Sequence, residues 1–247
     1  MLKEERLEYI IRQLQSNQSV KLGELSDALQ VSADTVRRDI EFLDRSGLLT
    51  KVRGGAIPHS PNPHSFKERM HLSEDKKQII AQKALSLIQP GSTILLDGGT
   101  TTYALAGLLN MPLTVITNNI PAAALLLERK DIVLIIPGGK VMTDSRATYG
   151  PEAIRMLQQL HVDTCFIGVC SLHDEIGVTS MDYIEGEMKR AIIQCSDKVV
   201  AIGSHDKIGT AEPYKICDIT VLDTIVTEID PLDPLFGAYH ALNIQII

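Results

Sequence analysis

The chain has 247 residues, 44% hydrophobic and 22% charged, with a net charge of −7, 4% aromatic residues and no Trp. That length holds one large domain or two ordinary ones, and the apolar fraction suffices for a buried core, which excludes a disordered chain. The net charge excludes a uniformly basic nucleic-acid coat. Residues 1–56, however, carry nine Lys or Arg against nine acids, so the whole negative excess belongs to residues 57–247.

Residues 4–15 place Leu7, Ile10, Ile11 and Leu14 on one helical face. A second helix is predicted over Leu22–Leu29. After Gln30 and Val31, Ser32 is a natural N-cap for a third helix whose inner stripe is Val36, Ile40 and Leu43. That leaves Thr35, Arg37, Arg38 and Glu41 off the core. Two short helices joined by a tight turn, the second opening on small polar residues and showing arginines, predict a helix-turn-helix whose second helix enters a major groove. From Gly47 to Ala56 a small β-wing is expected, turning at Gly54-Gly55, with Leu49, Val52 and Ile57 inward and Lys51 and Arg53 outward toward phosphates. Any one of these cations alone reads as a solvated surface residue. Ser32, Thr35, Arg37, Arg38, Lys51 and Arg53 on consecutive elements of one compact unit read as a DNA-binding set.

Residues 57–66, IPHSPNPHSF, hold three prolines and no helical or strand period, which predicts an extended connector. The expected organisation is therefore a DNA-binding unit over 1–57, a linker over 58–75 and an α/β unit over 76–247. In that last unit, apolar strand-like runs at 92–97, 113–117, 131–136, 163–169, 197–202 and 218–223 alternate with helical patterns at 76–89, 100–109, 119–128, 150–160 and 183–195. Strands that are apolar throughout and separated by helices predict a mostly parallel sheet covered on both faces.

Chemistry concentrates at the expected carboxyl ends of those strands. Asp97-Gly98-Gly99-Thr100-Thr101-Thr102 leads directly into a helix. A glycine pair, hydroxyls and a helix N-terminus together make a phosphate cradle, although the sequence lacks the lysine of a Walker loop and the spacing of a dinucleotide fingerprint. Asn118, Gly138 with Gly139, and Lys207 follow three further strands. Ligands in open α/β sheets bind beyond the carboxyl ends, so these four segments are expected to converge on one pocket. Glu185 and Lys189 read equally well as a weaker pocket pair or as a surface ion pair at i,i+4. Arg146 is a further candidate for the phosphate.

VSADTVRRDIEFLDRSGLLTKVRGGA resembles the signature of the DeoR-type bacterial repressors, with their T-[VI]-R-R-D-[IL] recognition helix and G-G-A wing, over nearly all of residues 4–58. Lys51 and Arg53 stand where that family most often has Arg and His. The segments DGGTTT, TNNIPAA, IPGGKV, FIGV and EGEMKRAII resemble successive motifs of the same family's C-terminal sensor domain. The resemblance implies a winged helix-turn-helix followed by a Rossmann-like α/β domain similar to ribose-5-phosphate isomerase and CoA transferases. It also implies a transcriptional regulator, a repressor of a carbohydrate operon, whose binding to double-stranded operator DNA is controlled by a phosphorylated sugar. Arg37 and Arg38 are then expected at the DNA and Asp39 as a brace of the fold. Asp97 to Thr102, Asn118, Gly138, Gly139 and Lys207 are expected at the effector. The chain departs from the family at Cys170-Ser171, where a second glycine is common, and at Ser204-His205-Asp206-Lys207, where D-S-S-K is common.

No cofactor or metal is expected. Cys165, Cys170, Cys195 and Cys217 form no C-x-x-C pair, and His161, His173, His205 and His240 show no metal-ligand spacing. The charged N-terminus and the absence of a ~20-residue apolar run predict a cytoplasmic protein without a membrane span. A homodimer or homotetramer is expected, because helix-turn-helix proteins read paired half-sites. Two alternatives stay open: a sugar-phosphate isomerase bearing a DNA-binding arm, with Asp174 or Glu175 as base, and a winged helix used only for protein contacts.

Overall fold

The computed structural model of the chain describes residues 2–17, 19–46, 48–58 and 65–247. Helix α1 (Lys3–Asn17) packs Ile10 and Leu14 against α2 (Leu22–Leu29) and α3 (Ala33–Arg45), whose Val36, Ile40 and Leu43 close a small core with Leu49 and Ala56. Between α1 and α2 lies a two-residue strand, β1 (Val20–Lys21), which the sequence reading did not include. The wing is β2 (Thr50–Val52) and β3 (Gly55–Ile57), with β3 central between β1 and β2. Gly54 makes the turn at φ +90°, whereas Gly55 is needed for space: a Cβ there would lie 1.8 Å from the Val20 carbonyl oxygen across the β1–β3 pair.

Residues 59–64, most of the expected connector, lie outside the described residues. Of the remainder, Ile57 pairs in β3 and Ser65 is extended at φ −83° and ψ 140°, and a helix begins at Phe66. Helix α4 (Phe66–His71) occupies part of the stretch read as linker, and α5 (Glu74–Leu85) falls on the helix expected at 76–89, starting two residues earlier. Ser65 caps α4, accepting from the Glu68 N–H at 3.2 Å while its hydroxyl donates to the Glu68 carboxylate at 2.9 Å. This Ser-x-x-Glu start was legible in the sequence and was masked by the prolines before it.

The α/β unit then runs β4 (Thr93–Leu96), α6 (Thr100–Leu108), β5 (Leu113–Thr117), α7 (Ile120–Leu126) and β6 (Ile132–Ile135), followed by the hairpin β7 (Lys140–Met142) and β8 (Ala147–Tyr149). It continues through α8 (Pro151–Leu157), β9 (Val162–Gly168), β10 (Ser171–His173), β11 (Gly177–Ser180), α9 (Tyr183–Gln194), β12 (Ser196–Ile202), β13 (Tyr214–Cys217), β14 (Thr224–Val226), α10 (Gly237–Ala241) and β15 (Gln245–Ile246). Seven strands form one parallel sheet in the order β15-β14-β12-β9-β4-β5-β6. Alternate residues serve opposite faces. Ile94 and Leu96 meet α5, α6 and α7 on one side, and Leu95 joins Leu157, Met188 and Tyr239 of α8, α9 and α10 on the other. Covering both faces is why the strands are apolar without a break.

One expected strand is corrected. Residues 218–222 do not pair in the sheet; Ile219–Val221 is a single 3₁₀ turn, and the strand is Thr224–Val226, led in by Asp223, whose N–H donates to the Val199 carbonyl at 3.0 Å. Ile219 and Leu222 enter the core three residues apart, the spacing of a tight turn, and an apolar run this short does not separate that from a strand. The architecture is a winged helix-turn-helix followed by a Rossmann-like α/β domain, and among the described residues no helix is long and apolar enough to cross a membrane.

Candidate nucleic-acid interface and ligand crevice

Helix α3 turns one face inward and another to solvent. Ser32 caps it, accepting from the Thr35 N–H at 3.2 Å, with the two hydroxyls 2.9 Å apart. Val36, Asp39, Ile40 and Leu43 are buried, and Arg37 and Arg38 are exposed. Asp39 is taken up by Arg6 of α1, whose Nε and Nη2 donate at 2.7 and 3.2 Å, so it holds α1 to α3. Asp34 bridges both arginines, at 3.3 Å to Arg37 and 2.8 Å to Arg38. Such exposed pairs contribute little and exchange readily for other anions. The Lys51 ammonium donates to Glu41 at 2.6 Å, linking wing to recognition helix and holding the Glu41 carboxyl below its usual range. Arg53 stands exposed beside Gly54 in the turn from β2 to β3. The six predicted side chains therefore occupy one helix N-terminal half and one wing.

The second site follows from sheet order. From β4 the strands run outward through β5 and β6 in one direction and from β9 through β12, β14 and β15 in the other. The connections leaving β4 and β9 thus diverge and open a crevice beyond their carboxyl ends. Gly99 and Gly168 face each other across it, a Cβ on Gly99 lying 3.6 Å from the Gly168 Cα. Gly98 is closed in behind, where a Cβ would come within 2.9 Å of Ala147. The floor is formed by Gly98, Gly99, Thr100, Thr101, Gly168 and Lys207. It opens into a cavity of about 190 Å³ lined by Tyr149, Ser145, Cys170, Asp182 and Glu185, among others.

A buried ion pair holds the two sides of the crevice together. The Lys189 ammonium from α9 donates to the Asp97 carboxylate at the end of β4, and to the Gly168 carbonyl of β9 at 2.6 Å. Asp97 also accepts from the Gly168 N–H at 3.1 Å, and Glu185 lies 3.3 Å from the same ammonium. Lys189 is 2% exposed. Burial alone would push its pKa down; the Asp97 and Glu185 carboxylates outweigh that and raise it, so it stays charged. The surface-pair reading of Glu185 and Lys189 is thereby corrected, because α9 turns Lys189 under the sheet's carboxyl edge.

Of the residues expected at an effector, Gly98, Gly99, Thr100, Thr101 and Lys207 line the crevice floor. Asp97 does not line it, being committed to Lys189 and Gly168. Thr102 faces back into its own loop, its hydroxyl accepting from the Gly99 N–H at 3.0 Å and donating to the Asp97 carbonyl at 2.6 Å. Asn118 is buried beneath Gly98, donating to the Thr148 carbonyl at 3.2 Å, and its Oδ1 has no partner among the described residues. Gly138 and Gly139 lie exposed where the chain enters β7, two strands beyond the divergence point. Convergence of all four strand ends is corrected to convergence of β4, β9 and β12. Arg146 lies beside Phe66, its guanidinium 5.8 Å from the ring centre, and does not line the floor. Asp174 and Glu175 sit between β10 and β11, Asp174 against His173 at 3.1 Å, and neither lines the crevice.

Lys207 enters the floor from the 3₁₀ turn His205–Lys207 after β12. Among the described residues no carboxylate lies within 4 Å of its ammonium, although it is partly buried. Burial lowers its pKa, with Arg69 and Lys189 adding to the effect. The turn itself is pinned: Glu228 accepts from the His205 N–H at 3.0 Å, pairs with the His205 ring at 2.7 Å and lies 3.2 Å from Lys76. Burial would raise the Glu228 carboxyl, but hydrogen bonds from its own backbone N–H, the His205 ring, the Thr227 hydroxyl and the His205 N–H outweigh it and hold it at about 2. Among the described residues, His205, Asp206 and Glu228 come close enough to share a metal ion, and the Lys76 ammonium already provides the positive charge there.

A family model described as the DeoR C terminal sensor domain matches residues 72–229, and one described as the DeoR-like helix-turn-helix domain matches residues 6–61. The chain is 34% identical to the HTH-type transcriptional repressor GlcR of Bacillus subtilis (strain 168), covering 92% of this chain and 89% of that one. It is 32% identical to the HTH-type transcriptional regulator GolR of Listeria innocua, with 91% and 90% covered. To the glycerol-3-phosphate regulon repressor of Escherichia coli (strain K12) it is 30% identical, with 90% and 89% covered.

Proposed function

The chain belongs to the DeoR family of DNA-binding transcriptional regulators, and from that premise we propose that it represses a carbohydrate operon under the control of a phosphorylated sugar held in the β4–β9 crevice. Ser32, Thr35, Arg37 and Arg38 read the major groove, while Lys51 and Arg53 of the wing hold the backbone phosphates. The phosphate of the effector sits at the N-terminus of α6, where the first N–H groups of a helix lack intrahelical acceptors and the helix dipole favours an anion. Lys207 supplies a charge-assisted bond to it. The sugar hydroxyls then face Tyr149, Ser145, Asp182 and Glu185 in a cavity well below the roughly 300–1,000 Å³ of pockets for drug-sized ligands. The protein acts in the cytoplasm by binding rather than turnover, without cofactor, and as a homodimer or homotetramer assembled through the α/β domain.

One observation carries the reading: a partly buried ammonium that, among the described residues, has no carboxylate within 4 Å, beside the N-terminus of a helix at the divergence point of the sheet. Leaving a charge so placed is costly unless an anion completes it. Calorimetric titration of the full chain with a panel of phosphosugars and the same sugars unphosphorylated tests this. Binding confined to phosphorylated members, and weakened at least tenfold in Lys207→Gln, is expected; equal affinity for phosphorylated and free sugars would overturn it.

A further inference from the structure

Three cavities share one side chain, Arg69. It lines the sugar-sized cavity with Tyr149 and Glu185, the crevice floor with Thr100 and Lys207, and a third cleft with Lys77 and Ser204. It belongs to α4, the first helix after the DNA-reading unit. We propose that Arg69 is an anion-binding residue of the crevice, and that occupancy thereby fixes α4 against the N-terminus of α6. The inference rests on the reading of Gly98–Thr101 and Lys207 as a phosphate cradle.

Alone, a six-residue helix is not self-supporting, since nucleation outweighs so few hydrogen bonds. Contacts from outside it hold helix α4. Phe66 is buried edge-on against Tyr103 of α6, ring centres 6.1 Å apart. The Phe66 N–H donates to the Asp144 carbonyl at 2.7 Å. At the other end the Lys77 ammonium donates to the carbonyls of Arg69, Met70 and Leu72. Tyr103 lies one turn from Thr100, so α4 already leans on the helix whose N-terminus faces the crevice. Arg69, Lys77 and Lys207 crowd positive charge on one side of that crevice. Burial first and Lys207 next push Lys77 down to about 8, and Arg69 adds to the lowering of Lys207. A doubly charged phosphate among them turns mutual repulsion into a shared attraction and draws α4 toward α6. The planar guanidinium, with its fork of donors, is suited to two phosphate oxygens at once.

Hydrogen exchange of the full chain with and without inorganic phosphate, combined with calorimetry, decides the matter. Phosphate is expected to slow exchange across Phe66–His71 in the unaltered protein. Arg69→Gln should weaken phosphate about tenfold or more and abolish that protection, and Arg69→Lys should recover part of the affinity. If phosphate binds, is lost in Lys207→Gln, yet leaves α4 exchange and Arg69→Gln affinity untouched, this inference falls while the crevice reading stands. If Lys207→Gln is equally indifferent, both fall. Should Arg69→Gln not fold, exchange in the unaltered chain alone decides.

Discussion

At the scale of single residues, the Lys189–Asp97 pair ties the two sides of the crevice together. Both side chains are buried to within 2% of full exclusion, and between them they join the ends of β4 and β9, the two strands whose connections diverge. A buried ion pair adds little net stability relative to apolar replacements, but removing one partner leaves the other charge uncompensated. Lys189→Met is therefore expected to cost about 3–5 kcal/mol in denaturant unfolding, and the double variant Asp97→Asn/Lys189→Met less than the two single losses combined. Additive losses would mean that the two groups do not act as a pair. This residue was only half legible in the sequence. Glu185 and Lys189 four apart fit a solvated helix face as well as a buried one, and what separates the two is which face α9 turns to the sheet. A hint lay in Lys189 standing between Met188 and Ile192, inside the apolar stripe. For Asp97 the sequence showed a carboxylate at the end of β4 but not its pairing with Lys189 and the Gly168 N–H, because a motif does not show what neutralises a charge.

At the scale of elements, α3 and the wing act as one reading surface because Lys51 reaches Glu41 and the Lys51 N–H donates to Asp44 at 2.9 Å. Asp34, bonded to both Arg37 and Arg38, holds the two guanidinia on the exposed side of the N-terminal half of α3. Replacing both arginines by Ala is expected to weaken operator binding and to flatten the salt dependence of log K by about 0.9 for each phosphate contact removed. Anisotropy titrations from low to high salt read both quantities, and an unchanged slope would place these arginines away from the backbone. Helix stripes and continuous apolar strands were legible here because burial imposes them directly: a strand covered on both faces has no polar side to show. The failures have equally physical causes. The 218–223 run is too short to separate a 3₁₀ turn from a strand, and three prolines concealed a helix that begins only three residues after the last of them.

At the scale of the molecule, the net charge of −7 resolves into a neutral reading unit and an acidic α/β body. An acidic body opposes general cationic attraction to DNA, so binding to random DNA is expected to be weak relative to a specific site. Two described contacts tie the reading unit's side of the chain to the crevice. One is α4 with Arg69. The other is the Thr50 hydroxyl of β2, which donates at 2.8 Å to the carbonyl of Ala211, four residues beyond Lys207. Ligand control requires that the effector favour one arrangement of these units over another, with a coupling of about 1–3 kcal/mol for a 5- to 150-fold change in affinity. The decisive measurement is operator affinity of the full chain, at fixed salt, with and without the phosphosugar that binds most tightly, for the unaltered protein and for Lys207→Gln. A change of fivefold or more that disappears in the variant is predicted. Operator affinity indifferent to every phosphosugar, or a response of equal size in Lys207→Gln, would contradict it.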